Sequence, residues 1–446
     1  MNRVIDLTSD APSAPANAKK RQLPPSILTG PHLPVARKER PAVVNNANGA
    51  GRGLPPPGSV PSATIHFSMV NSRQFCATAD AGRVGGEVIA TLRSVPGARF
   101  DWQSCRWLFP LSAHDVLQVA LSTTHRHQVS PLPRNIIAAA LLKNQKEAGK
   151  EAAEREGAED SLLALKGHVP DQVLHCLAPF QRDAVTFVMA NKGRALVADE
   201  MGLGKTRTAI SAAMAYRDDW PVLIVSPSSA RHHWQAEILS VLHPGCIEPK
   251  DITIVESTAH PLARGGRSNY KIVIISFNLV SRVIASLTAM PFNVVIVDEC
   301  HYMKNPTAAR TKCLLPLLHR AKRAILLSGT PALSRPIELF TQLHALAPKE
   351  WSDQKEFGRR YCVNPHNKKG GRSWAEFQGA NNTQELHMML TATLMIRRLK
   401  KDILAQLPDK VRSIVRVEVG DTPQGVEMAG LIESVRRYDE LLRRKA

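Results

Sequence analysis

Ala195-Leu196-Val197-Ala198-Asp199-Glu200-Met201-Gly202-Leu203-Gly204-Lys205-Thr206 is the stretch that decides the fold of this chain. The short apolar run 195–198 reads as a buried strand, and it leads into a turn carrying two glycines. Gly202 and Gly204 permit that turn and let the backbone approach a ligand closely. A helix expected over 207–216 then points its first N–H groups and the positive end of its dipole at the same place, which suits a phosphate. Lys205 suits the β and γ phosphates, and the Thr206 hydroxyl suits a magnesium ion. The common G-x-x-x-x-G-K-[ST] pattern is broken at its first position, where Asp199 replaces glycine. The candidate nucleotide-binding residues are therefore Asp199, Glu200, Met201, Gly202, Leu203, Gly204, Lys205 and Thr206, with ATP and Mg2+ as the expected ligands.

Downstream, the apolar run 294–297 ends in Asp298-Glu299-Cys300-His301. Asp298 can hold magnesium, and Glu299 can orient or deprotonate the water that attacks the γ phosphate. Lys205, Asp298, Glu299 and His301 form the candidate catalytic set. His301 with Ser328, Gly329 and Thr330 is expected to relay nucleotide state. Upstream, Gln181 lies in a helix with Pro179 near its start, and its amide can donate to and accept from an adenine edge. Further β-prone runs at 221–226, 272–276 and 324–328 alternate with helical or loop stretches, and each ends in small or polar residues. The pattern predicts an α/β fold with a parallel, RecA-like sheet covered by helices on both faces and its functional groups along one edge.

Composition narrows the class of partner. The chain has 446 residues, 43% of them hydrophobic, and 58 Lys plus Arg against 39 Asp plus Glu give a net charge of +19. That balance favours a polyanion, with nucleic acid as the leading partner, although an anionic membrane would also attract such charge. No apolar run approaches the roughly 20 residues of a spanning helix, and the first thirty residues lack the apolar core of a secretory signal. Seven cysteines without a C-x-x-C pair argue against a zinc site or a disulfide framework and fit a reducing compartment.

Residues 1–62, rich in Pro, Ala, Asn and Gly, are expected to be a disordered tail. Its clusters Lys19-Lys20-Arg21 and Arg37-Lys38-Glu39-Arg40 read equally as a nuclear address, as phosphate contacts or as solvated charge. Val4-Ile5-Asp6-Leu7 resembles a SUMO-interacting motif, in which a short extended peptide adds to a sheet edge. Residues 63–123 form a small α+β domain: a strand over 64–70, a helix over 85–94, a hairpin over 98–109 turning at 101–105, and a helix over 113–121. The Ala, Glu and Lys-rich stretch 138–160 reads as a helical spacer within a linker, 124–173.

Arg99-Phe-Asp-Trp-Gln-Ser-Cys-Arg-Trp-Leu-Phe-Pro-Leu111 resembles the HARP module that precedes the motor in annealing helicases. The alternative makes Trp102, Trp107 and Phe109 only the core of a small α/β domain, a role that suits Trp107 and Phe109 best and leaves Arg99, Arg106 and nearby Arg93 to meet phosphate. The segments 199–206, 226–234, 275–279, 298–305 and 327–331 resemble the Swi/Snf-type branch of superfamily 2. Within it, the segments 327–340, 357–362 and Met395-Ile-Arg-Arg-Leu-Lys-Lys-Asp402 are similar to the annealing-helicase subfamily, over residues 177–419. The resemblance implies an ATP-driven, nuclear translocase on double-stranded or forked DNA that remodels stalled replication forks. Arg397, Arg398, Lys400 and Lys401 look like the family's link toward a second lobe, and they read equally as phosphate contacts or a solvated face. Lys368, Lys369 and Arg372 form a basic loop open to the same two readings.

The resemblance thus assigns 174–350 to the first RecA-like lobe and 351–446 to its extension and linker. The remaining residues, ending in an amphipathic stretch over 425–444, do not accommodate a second lobe. In the family that lobe supplies an arginine finger, so the chain alone is expected to bind ATP and hydrolyse it poorly. The alternative is a catalytically incomplete nucleotide- and DNA-binding adaptor.

Overall fold

Two sheets organise the described residues, and their difference follows from how many faces each buries. The computed structural model describes residues 64–79, 85–124, 128–155, 161–242, 244–260, 262, 270–330, 335–363 and 377–403. The tail with Val4 to Leu7, the basic loop at Lys368, Lys369 and Arg372, and the stretch 425–444 lie outside them.

The first sheet has five strands, β1 (Ile65–Met69), β2 (Gln74–Ala79), β3 (Arg99–Asp101), β4 (Arg106–Pro110) and β5 (Val129–Ser130), in the order β3-β4-β2-β1-β5. Antiparallel pairing joins β1 to β2, β2 to β4 and β3 to β4, and β5 adds parallel to β1. Phe67, Phe75 and Phe109 cover its inner face, with ring centroids 5.1 Å apart for Phe67–Phe75 and 5.4 Å for Phe75–Phe109. Phe109 is fully buried, as its pattern predicts, whereas Trp107 is only half-buried and packs edge-on to Phe100 at 5.3 Å.

The second sheet has seven strands: β6 (Arg194–Val197), β7 (Val222–Ser226), β8 (Ile252–Val255), β9 (Ile272–Ser276), β10 (Val294–Val297), β11 (Arg323–Leu327) and β12 (Met395–Ile396). Their order is β12-β6-β11-β10-β7-β9-β8, and every pairing is parallel. Alternate residues serve opposite cores. Leu196, Val225, Ile275, Val297 and Leu326 belong to one, and Val197, Ile224, Ile274, Ile296 and Leu327 to the other. Burial on both faces is why these strands read as continuous apolar runs rather than as alternation. Helices Pro179–Ala190, Lys205–Met214 and Arg231–Leu242 cover one face. Helices Ala309–Arg320, Ile337–Leu346 and Thr383–Thr393 cover the other, and that core runs on without a break into the five-stranded sheet.

Two expectations need correction. The stretch taken for a spacer is the second half of a helix, Arg134–Arg155, whose first turns are packed rather than bridging. Ile136, Ala139 and Ala140 are buried in the shared core. Lys143 Nζ donates to Thr391 Oγ1 at 3.3 Å, Lys146 Nζ to the Ala392 carbonyl at 2.9 Å, and Asn144 Nδ2 to the Ser72 carbonyl at 2.9 Å. Short alanines pack closely against a neighbouring helix while leaving the composition of an exposed one, which is why the stretch looked like a linker. The segment expected to lead away from the sheet instead completes it: β12 pairs beside β6, with Met395 opposite Leu196.

Candidate active site

Parallel pairing brings the ends of β6, β10 and β11 together, and the expected functional residues follow them. The loop after β6 turns through Gly202 at φ +81° and Gly204 at φ +69°. A Cβ at Gly204 would collide with Gln181 Nε2, so both the backbone conformation and the space require glycine. The next helix begins at Lys205, two residues before the expected position. Lys205 Nζ donates to the carbonyls of Asp199 at 3.0 Å and Glu200 at 3.3 Å. Burial lowers its pKa, opposed by the nearby carboxylates of Glu299, Asp199 and Asp298. Thr206 stands in the first turn of the helix, half-buried, while Met201 projects from the loop at 64% exposure. Leu203 is buried beneath the loop.

Asp298 follows β10 and is held on both oxygens. Trp234 Nε1 donates to Oδ2 at 2.9 Å, and the Glu299 N–H donates to Oδ1 at 2.9 Å. Burial raises the pKa of Asp298, opposed by the Trp234 hydrogen bond. Glu299 moves the other way, lowered chiefly by its hydrogen bond with His301. The His301 Nδ1 to Glu299 Oε2 distance is 3.0 Å. Glu299 also has a left-handed backbone, φ +47° and ψ +51°, a conformation that costs a non-glycine residue about 1–3 kcal/mol and is met mostly at functional sites. Two neighbouring carboxylates with opposite shifts suit different roles in one reaction.

The residues expected to relay nucleotide state also lie together. His301 Nδ1 lies 3.2 Å from Ser328 Oγ, which accepts the Thr330 N–H at 3.2 Å. Gly329 packs beside Met201, leaving no room for a larger residue.

Several assignments change. The Asp199 carboxylate, expected among the nucleotide ligands, is 1% exposed and turned to Arg398. Arg398 is therefore an internal partner rather than an exposed DNA contact. Arg397 likewise donates to the carbonyls of Ala198 at 2.8 Å and Gly329 at 3.1 Å. The Lys400 backbone N–H donates to Glu200 Oε2 at 2.7 Å, and its ammonium lies near Gly202. Gln181, expected at the adenine edge, is occupied too. Its Oε1 accepts the Ala178 N–H at 3.0 Å, and its Nε2 donates to the Leu203 carbonyl at 3.2 Å and reaches that of Gly204 at 3.5 Å. Each of these side chains therefore already has a partner within the chain.

Arg99 and Arg106 are exposed on the β3–β4 hairpin, and Trp102 at its turn is 83% exposed. Sequence reasoning passed over two features. Trp234, fully buried, lies within the segment 226–234 with no local pattern to single it out, although a tryptophan N–H needs a partner when buried. An open groove beyond β9 is lined by Phe277, Asn278, Ser281, Arg282, Ala308 and Arg310. Beside it Tyr302 stacks on Phe277 at 5.2 Å, and the Arg310 guanidinium sits 5.7 Å from the Tyr302 ring. Only the two arginines, far apart in sequence, could have signalled it.

A seven-stranded parallel sheet with a glycine-rich phosphate loop after β6 and an acidic pair after β10, on either side of β11, defines a nucleotide-binding lobe. The model of the SNF2-related domain matches residues 180–424, and the chain belongs to that family. It is 37% identical over 340 residues to the SWI/SNF-related matrix-associated actin-dependent regulator of chromatin subfamily A-like protein 1 of Xenopus laevis, covering 76% of this chain and 33% of that protein. It is 44% identical over 249 residues to the DNA annealing helicase and endonuclease ZRANB3 of Bos taurus, covering 55% and 22%. The Caenorhabditis elegans homologue of the first protein is 35% identical over 335 residues, covering 74% and 45%. The chain thus spans a third of the length of the first relative and less of the second.

Proposed function

We propose that this chain is the ATP-binding lobe of a DNA-dependent ATPase that remodels double-stranded or branched DNA at replication forks in the nucleus. The observation that carries the reading is the meeting of Lys205, Asp298, Glu299, His301 and Ser328 at one sheet edge. Names of relatives that speak of chromatin regulation and DNA annealing support the nuclear, fork-directed part. Lys205 would meet the β and γ phosphates, whose oxygens would take the place of the Asp199 and Glu200 carbonyls that its half-buried ammonium now reaches. Thr206 and Asp298 fit magnesium, because that ion takes one or two protein oxygens and keeps waters for the rest. The bound ion would neutralise phosphate charge. Glu299, kept ionised by His301, would orient the attacking water, and His301 would pass the change to Ser328.

DNA would lie across the groove of Arg282, Arg310 and Tyr302, with Arg99, Arg106 and Trp102 as a second contact. Recruitment through Val4, Ile5, Asp6 and Leu7 to SUMO rests on the sequence pattern alone. The deciding experiment is ATP binding and DNA-stimulated hydrolysis by the chain against Lys205→Ala. ATP binding lost in the variant supports the reading, and equal binding in both overturns it.

A further inference from the structure

The chain from residue 394 to residue 400 runs beside β6 and does not leave it where the sheet ends. The Leu196 N–H donates to the Leu394 carbonyl at 2.8 Å, the Ala198 N–H to Ile396 at 2.8 Å, and the Glu200 N–H to Arg398 at 3.0 Å. A strand ladder with period two therefore continues past β12 into the phosphate loop itself. Side chains fix the same path. Asp199 accepts from Arg398 three times: Nη2 to Oδ2 at 2.6 Å, Nε to Oδ1 at 3.1 Å and the backbone N–H to Oδ1 at 2.9 Å. The same guanidinium donates to the Phe180 carbonyl and lies 5.3 Å from the Phe180 ring.

Phe180 precedes Gln181, whose amide holds the carbonyls at the far end of the loop. Arg398 thus grips the loop's entry directly and its exit through the helix that carries Phe180 and Gln181. Arg397 adds a third tie, because one guanidinium nitrogen joins Ala198, before the loop, to Gly329, beside the His301–Ser328 contact.

We infer that residues 394–400 form a strap that sets the shape of the phosphate loop, with Arg398 and Arg397 as positioning residues for the nucleotide rather than ligands of DNA. The inference rests on the nucleotide-binding reading above. A bidentate pair on a buried carboxylate fixes direction as well as distance, which a single ammonium cannot reproduce. Arg398→Lys keeps the charge and loses the fork. Loosening the strap would let Gly202 and Gly204 sample other turns, so the loop's N–H groups would no longer converge.

The test is calorimetric titration of the full chain with magnesium ATP, beside titration with a short DNA duplex. Both are run well below the melting midpoint of each variant. Arg398→Lys should weaken ATP binding about tenfold or more, since small displacements of positioning groups carry costs of that order, and should leave duplex affinity unchanged. Should Arg398→Lys fail to fold, Asp199→Asn serves instead, because the amide keeps its acceptor for the Arg398 backbone and loses the charge pairing. ATP affinity retained with duplex affinity lost would make Arg398 a DNA ligand and overturn the strap. Loss of ATP binding in Lys205→Ala but not in Arg398→Lys or Asp199→Asn would overturn the strap alone. Absence of ATP binding by the unaltered chain would overturn the nucleotide reading beneath it.

Discussion

Arg360 closes on both oxygens of Glu385, with Nε 2.6 Å from Oε1 and Nη2 2.8 Å from Oε2, at a place where Glu385 is fully buried. The carboxylate also accepts the Met69 backbone N–H at 2.9 Å and the Tyr361 hydroxyl at 3.2 Å, and Arg360 reaches the Phe67 carbonyl at 3.3 Å. One ion pair therefore ties β1 of the small sheet to two helices of the large one. Glu385→Leu strands the arginine and should destabilise the chain by about 3–5 kcal/mol, while Arg360→Met with Glu385→Leu should recover much of that. Urea unfolding of both variants checks it, and equal losses would mean that the pair is not the connection.

Gly204→Ala should abolish ATP binding while leaving the chain folded. The left-handed backbone costs alanine about 1–2 kcal/mol, and the new methyl would displace the Gln181 amide that holds the end of the loop. Far-ultraviolet circular dichroism beside ATP titration separates the two effects. Unchanged affinity would show that the loop's shape tolerates a side chain.

The contrast between Val294–Val297 and Met395–Ile396 explains how much of this was legible in the sequence. The first strand is buried on both faces and so appears as an unbroken apolar run that needs no partner to be recognised. The second is two residues long at the sheet edge, and its neighbours Arg397 and Arg398 made it look solvated. β8 was missed for a related reason, as a short edge strand whose Thr253 interrupts the apolar pattern. The site divides in the same way. Lys205, Asp298 and Glu299 are set by local chemistry at the ends of strands, so spacing exposes them. The partner of Asp199 lies 199 residues along the chain, and a basic run carries no sign of whether its charges meet DNA, water or a buried carboxylate.

Glu299→Gln should leave ATP affinity within a few-fold and lower the single-turnover hydrolysis rate by about 10²–10⁴, the usual contribution of a positioned acid–base group. Trp234→Phe tests its neighbour differently. Burial already raises the Asp298 pKa, and the Trp234 hydrogen bond opposes that rise. Without the bond the carboxyl should ionise at still higher pH, so the acid limb of the rate profile should move toward neutrality. A limb that stays in place would remove Asp298 from the groups that must be ionised.

His387 makes the fold sensitive to acid. Burial, with the positive charges of Lys143 and Arg397, pulls its pKa down to about 4 from an ordinary 6.5, and its Nδ1 has no hydrogen-bond partner. The folded chain therefore refuses a proton that the unfolded chain takes up. Stability present above pH 6.5 should be lost as pH falls toward 4, by about 3 kcal/mol at most. His387→Gln should flatten that part of the profile, measured as unfolding free energy at pH 7 and pH 5. An unchanged slope would assign the acid sensitivity elsewhere.

For the proposed DNA binding, the choice between two sets of arginines decides where a duplex would run. Arg282 and Arg310 border the groove beyond β9, with Arg310 donating from Nε to the Tyr302 carbonyl at 3.0 Å, whereas Arg397 and Arg398 are turned inward to Ala198, Gly329 and Asp199. Each phosphate neutralised by a protein cation contributes roughly 0.9 to the magnitude of the slope of log affinity against log salt. Arg282→Ala with Arg310→Ala should therefore weaken duplex binding and flatten that slope by about 1.8. The loss should be similar for duplexes of different sequence, because phosphate contacts position DNA without reading bases. The readout is fluorescence anisotropy with a labelled duplex across a salt series, with melting midpoints measured in parallel. A slope unchanged in the double variant would leave the groove unused and turn attention to Arg99 and Arg106 on the β3–β4 hairpin, where the same substitution pair and salt series give the direct comparison.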